Sequence, residues 1–154
     1  MIINATLCYI RRAGETLMML RNRKPNDVHR GKYNGVGGKM IPGETPEACA
    51  AREIFEETGL IVDEMALRGI LTFPCFDGAN DWIVYVMLVT GFHGDLIECA
   101  EGELRWIETD RLEELPLWDG DRIFLKWLDR PGWFSGRFDY RNGNLISHEV
   151  RFYQ

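Results

Sequence analysis

Residues 38–60, GKMIPGETPEACAAREIFEETGL, restrict this chain more than any other stretch of it. They follow G-x5-E-x7-R-E-U-x-E-E-x-G-U, where U is a bulky apolar residue. Gly38, Glu44, Arg52, Glu53, Glu56, Glu57 and Gly59 fill the fixed positions, and Ile54 and Leu60 the apolar ones. Seven fixed positions coincide by chance about once in 10⁸ trials if each residue type occurs at roughly one in fifteen, so the pattern calls for a specific explanation. The local chemistry predicts a loop followed by one helix over 46–58. Thr45 is a good N-cap, Pro46 suits the first turn, Glu47 lies where the helix dipole favours an anion, and Gly59 suits a left-handed stop. At about 100° per residue, Glu53, Glu56 and Glu57 share an arc of roughly 100°. Ala48, Ala51, Ile54 and Phe55 lie opposite and are expected to face the core. The small Cys49 and Ala50 flank the acidic side and are expected to let a ligand come close.

A row of glutamates on a helix is ordinarily a solvated face. Like charges at i, i+3 and i+4 repel, however, and cost helix stability unless a counter-ion sits among them. Hard divalent cations such as Mg²⁺ and Mn²⁺ prefer carboxylate, carbonyl and water oxygens. The glycine-rich stretch 35–38 just before the signature can bring backbone groups close to a metal or a phosphate. Arg52, one guanidinium beside several carboxylates, can orient them through forked hydrogen bonds, with Glu44 as a second support; an ordinary i,i+4 salt bridge to Glu56 is compatible with that role.

The rest of the composition narrows the class. A chain of 154 residues fits one domain, 1–154, and can bury a real core. No apolar run reaches membrane-span length, and the N-terminal residues read as a strand, not a signal peptide. The net charge of −6, with no basic cluster, disfavours a nucleic-acid partner and suits a protein that handles phosphates through a divalent metal. Four cysteines without C-x-x-C spacing and three scattered histidines make structural zinc or a disulfide framework an unfavoured reading. Reduced thiols in a cytoplasm are the expectation.

Hydrophobic alternation predicts strands at 2–10, 16–21, 66–73, 82–92 and 104–108, with a turn or two of helix at 109–115. A second amphipathic helix is expected at 121–129, with Ile123, Phe124, Trp127 and Leu128 inward. The tail alternates on both sides of Asn142-Gly143, a strong hairpin turn. The whole reads as an α/β class fold: an α/β/α sandwich around a mixed β-sheet, with an added C-terminal β-hairpin.

The 23-residue signature is that of the Nudix hydrolases, and the resemblance is close. It implies metal-assisted cleavage of a nucleoside diphosphate linkage. Glu53, Glu56 and Glu57, with the Gly37 carbonyl, would bind Mg²⁺, Mn²⁺ serving as a substitute. Glu53 is the first candidate for the base that activates water. A further acidic ligand is expected on a later loop, with Glu101 the first choice and Glu103 its rival. Beyond the signature the chain resembles the MutT-type 8-oxo-dGTP diphosphatases, the oxidised purine nucleoside triphosphatases that sanitise the nucleotide pool in support of DNA repair. Three segments carry this: residues 31–39, residues 117–121 and the final hairpin. The resemblance implies that Asn34 and Asp121 read the base and Trp118 stacks on it. The lesser alternatives are a turn residue for Asn34 and a core residue for Trp118. The subfamily's adjacent acidic pair becomes Asp119-Gly120-Asp121, with glycine where one acid is expected. Gly38, Lys39 and Arg23 are the candidates for the phosphate tail. The implied protein is a monomer or weak homodimer acting on a small nucleotide. The alternatives are another nucleotide or nucleoside diphosphate derivative as substrate, or a non-catalytic nucleotide-binding Nudix protein.

Overall fold

The computed structural model describes residues 1–154. In chain order the elements are β1 (Ile2–Arg12), β2 (Glu15–Leu20), β3 (Tyr33–Asn34), α1 (Pro46–Thr58), β4 (Ile61–Phe73), β5 (Asp81–His93), β6 (Glu103–Glu108), a 3₁₀ segment (Thr109–Glu114), α2 (Asp119–Phe124), a second 3₁₀ segment (Leu125–Trp127), β7 (Trp133–Arg141) and β8 (Asn144–Tyr153). The eight strands form one mixed sheet in the order β3-β2-β1-β5-β4-β7-β8, with β6 also on β2. The β1–β5 and β4–β7 pairs are parallel and the others antiparallel.

The alternation of β1 separates two cores. Cys8 and Ile10 face one cluster with Leu17, Met19, Ile54, Leu60 and Met87. Tyr9 faces the other, with Met18, Phe124, Leu128, Phe134 and Phe138. The helix α1 covers the first face. The segment around α2 covers the second, which gives the α/β/α sandwich expected from sequence. The C-terminal hairpin forms as predicted. Asn142 and Gly143 both take positive φ, 54° and 80°, as a two-residue hairpin turn requires, and β7 joins the sheet beside β4.

The caps of α1 also follow the sequence. The Ala48 N–H donates to the Thr45 hydroxyl at 3.1 Å, and Gly59, at φ 81°, donates its N–H to the Phe55 carbonyl. The rotation of the helix differs. Its buried residues are Cys49, Ala50, Ile54, Glu57 and Thr58, whereas Ala48 is exposed and Phe55 is 55% exposed. The expected core face 48-51-54-55 is therefore corrected to 50-54-57-58. Full burial of Ile54 contributes about 1.5–3 kcal/mol. The rotation turns Glu57 toward the sheet, where the Gly37 N–H receives it. Cys49, expected to leave room for a ligand, instead packs under the loop, its sulfur 3.5 Å from the Thr6 hydroxyl and the Gly38 carbonyl.

Two boundaries move. β4 begins at Ile61, soon after the Gly59 stop: Ile61, Val62 and Glu64 pair with β5 around a bulge at Asp63, and the Asp63 and Glu64 carboxylates bond across to His93 and Thr90. The predicted helix 121–129 is shorter and tightens into 3₁₀ at Leu125, where Arg68 from β4 takes the Leu128 and Arg130 carbonyls.

Candidate active site

The site is built where β1 and β2 part. β2 pairs with β1 only at residues 15–17, and at Met19–Leu20 its partner is β3. Chain 33–39 occupies the opening, bridging back to β1 at Cys8–Val36 and Ala5–Lys39. Glycine matters at two positions there. Gly37 has φ 150°, and a Cβ on it would strike the Thr6 carbonyl. A Cβ on Gly38 would lie 2.5–2.6 Å from the carboxylate of Glu53. The absent side chain at 38 lets that carboxylate rest against the loop backbone.

Arg52 organises the acidic side of α1. Its Nε and Nη2 clasp Glu44 at 2.7 and 2.9 Å, its Nη1 donates to Glu53 at 2.8 Å and to Glu56 at 3.4 Å, and its Nη2 reaches the Lys39 carbonyl at 3.1 Å. Glu44 also accepts from the Ile41 N–H, and these bonds, Arg52 first, hold its carboxyl at about 2. Glu57 is in the opposite situation. It accepts from the Gly37 N–H at 3.0 Å, but burial pushes its carboxyl up to about 8, and Glu101 and Glu53 add repulsion.

As they stand, the three helix glutamates do not converge on one point, since Glu53 and Glu56 turn to Arg52 and Glu57 to Gly37. Their chemistry nevertheless suits a hard divalent cation. The donors are oxygens, the backbone at Gly38 leaves a cradle at Glu53, and Glu57 sits where negative charge lacks compensation.

A cavity of roughly 730 Å³ opens from this acidic end. Gly37, Gly38, Lys39 and Glu53 line one part, with Arg21 and Glu101. The other part is an aromatic pocket holding Asn34 and Asp121. There Trp118 meets Phe76 and Tyr140 edge-on, each with ring centres 5.3 Å away. The Trp118 indole N–H donates to His29 Nδ1 at 2.8 Å, so that nitrogen carries no proton. Burial, with Arg21 nearby, depresses His29 to about 4. Asn34 Oδ1 is buried without a hydrogen-bond partner. Burial lifts the Asp121 carboxyl to about 7, partly opposed by Arg122 and Lys32.

The structure thus brings Asn34, Gly37, Gly38, Lys39, Glu53, Glu101, Trp118 and Asp121 to one cavity. Asp119 points to solvent and is not on its wall. Arg23 is also off the wall, its guanidinium held by the Cys99 carbonyl at 2.6 Å, and Arg21 stands there instead. Glu103 pairs with Arg105 on β6, while Glu101 faces Lys24 at 3.3 Å. Sequence reasoning missed Arg21, His29, Phe76 and Tyr140. Each comes from a different segment, and no spacing rule links them.

A mixed sheet with an Arg-ordered glutamate helix against a glycine loop, opening into an aromatic cavity, suits a hydrolase of the phosphoanhydride class. The model of the NUDIX domain matches residues 1–128, and the chain belongs to the Nudix hydrolase family. It is 28% identical over 141 residues to the oxidized purine nucleoside triphosphate hydrolase of Danio rerio, covering 92% of this chain and 88% of that one. To the Mus musculus protein of the same name it is 29% identical over 134 residues, covering 86% of each. Among solved structures, a mutator MutT protein from Bacillus halodurans superposes with a TM-score of 0.84 at 29% identity, over 96% of this chain and 97% of that one.

Proposed function

We propose that this protein hydrolyses purine nucleoside triphosphates, oxidised ones such as 8-oxo-dGTP foremost, to the monophosphate and pyrophosphate, and so cleans the nucleotide pool. The observation that carries the reading is the single cavity joining the Glu53–Gly38 cradle to an aromatic pocket with polar groups. Its two parts suit the two ends of a nucleotide. The names of the vertebrate relatives support the same substrate class.

Mg²⁺, or Mn²⁺, would be held by Glu53, Glu56, Glu57 and the Gly37 carbonyl, with Glu101 from the facing loop. When bound it supplies positive charge to the diphosphate oxygens. The chain's own groups do the rest. Arg52 holds Glu53 and Glu56 on one side of the helix. Glu53 accepts a proton from the attacking water as the new P–O bond forms and the bridging P–O bond breaks. Lys39 and Arg21 place positive charge on the cavity wall for the departing pyrophosphate. Trp118 and its aromatic neighbours offer apolar surface to a purine, and Asn34 and Asp121 offer polar contacts.

The test is steady-state hydrolysis with Mg²⁺ of 8-oxo-dGTP, dGTP, the other dNTPs and a set of nucleoside diphosphate derivatives, with pyrophosphate and phosphate detected separately. The expected result is a kcat/KM for 8-oxo-dGTP at least ~100-fold above that for dGTP, about 2.7 kcal/mol of discrimination, with pyrophosphate released. Equal rates on all purines would remove the oxidised-base assignment. A preference for a diphosphate derivative would replace the substrate.

A further inference from the structure

Tyr140, near the end of β7, lines the aromatic pocket. Its ring is fixed between Trp118, Phe76 and Phe73, at centre distances of 5.3, 5.7 and 6.4 Å. Its oxygen accepts the Gly120 N–H at 2.6 Å. A Cβ on Gly120 would lie 2.6 Å from that oxygen and 2.8 Å from Phe138 Cδ1, so a side chain at 120 and the hydroxyl at 140 exclude one another. With its oxygen engaged by the backbone, the group has one proton left to give. Burial, with Asp121 and Asp119 nearby, holds it well above the ordinary tyrosine range and keeps that proton on.

The other polar groups of the pocket complement this donor. Asn34 Oδ1 is a buried acceptor without a donor, and the Asp121 carboxyl, on the same wall, accepts through its oxygens. The Tyr140 donor, set beside the Asn34 and Asp121 oxygens, matches a 6-oxopurine edge, where O6 accepts and ring and exocyclic nitrogens donate. An adenine presents a donating amino group at position 6. We propose that Tyr140 is a specificity-determining residue that donates a hydrogen bond to the exocyclic oxygen of a 6-oxopurine, so that the pocket selects guanine-type over adenine-type bases. This rests on the nucleotide-hydrolase reading and names its base class.

The experiment compares kcat/KM for dITP, dGTP and dATP in the wild type and in Tyr140→Phe, which keeps the ring and removes the hydroxyl. dITP retains the 6-oxo group without a 2-amino group and isolates the contact. The expected result is a wild-type dITP:dATP ratio of at least ~10, about 1.4 kcal/mol, reduced about tenfold in Tyr140→Phe. Gly120→Ala, whose Cβ displaces the hydroxyl, is expected to lower the same ratio. Calorimetric binding of dIMP against dAMP to both variants reads the preference without chemistry. A wild type with no such ratio, or a folded Tyr140→Phe with the ratio intact, overturns the proposal and leaves the hydrolase reading standing. A wild type that turns over no nucleoside triphosphate overturns the hydrolase reading, and the proposal with it.

Discussion

Glu57→Gln is expected to make the metal-free protein more stable while abolishing its turnover. The Glu57 carboxyl sits at about 8 in the folded protein against an ordinary 4.5, chiefly because it is buried. The folded state therefore holds this proton more tightly than the unfolded chain. The stability so contributed is complete below 4.5 and is lost as pH rises toward 8. At about 1.4 kcal/mol for each tenfold change in proton affinity, the ceiling of that loss is roughly 5 kcal/mol; relaxation and water entry reduce it to about 2–4 kcal/mol. Glutamine has no proton to lose, and its Oε1 still accepts the Gly37 N–H. Urea unfolding in EDTA at pH 5 and pH 8 measures the effect. The stability difference between variant and wild type should grow by about 2–4 kcal/mol in the variant's favour between those pH values. Other titrating groups cancel in the difference. Adding Mg²⁺ should stabilise the wild type by mass action and narrow the gap, while kcat of the variant falls by at least about 10³-fold. A difference that stays flat with pH, or a variant less stable at pH 8, would refute the reasoning about buried charge.

Four further variants have expected outcomes. Gly38→Ala should fold with little change in Tm yet lose at least about tenfold in kcat, because the atoms nearest its Cβ are the carboxylate end of the flexible Glu53 side chain; Gly37→Ala meets the Thr6 backbone and should fail in the thermal melt first. Gly59→Ala should cost about 1–3 kcal/mol by urea titration, since it imposes a side chain at φ 81° with the Asp95 carbonyl 2.6 Å from its Cβ. His29, depressed to about 4, binds its proton less readily folded than unfolded, so its share of stability is complete above 6.5 and lost as pH falls toward 4; His29→Asn should flatten the slope of unfolding free energy against pH in that window, with Trp118 emission reporting the loss of its indole hydrogen bond.

Much of this molecule is local, and local features are legible in a sequence. Thr45, Pro46 and Gly59 delimit α1 because caps depend on neighbouring backbone groups alone. Asn142-Gly143 fixes the final hairpin because few residue pairs tolerate two positive φ angles. The strand alternation yields the mixed sheet with helices on both faces, and the spacing 53-56-57 puts three carboxylates on one side of a helix. Other features depend on what a residue meets across the fold. The sequence alone could not tell that α1 rolls Glu57 inward and Phe55 outward, because the roll is set by the Gly37 N–H and the loop packed on Cys49. Arg21 rather than Arg23 reaches the cavity because Arg21 directly follows β2 at the wall while the Cys99 carbonyl draws Arg23 away. His29, Phe76 and Tyr140 close around Trp118 from three separate segments. The sequence determined most of the elements, the caps of α1 and its acidic face, since these follow from short-range sterics and periodicity. The tertiary structure alone decided the base pocket, since its walls are contacts between residues 20 to 89 positions apart, which no local rule records.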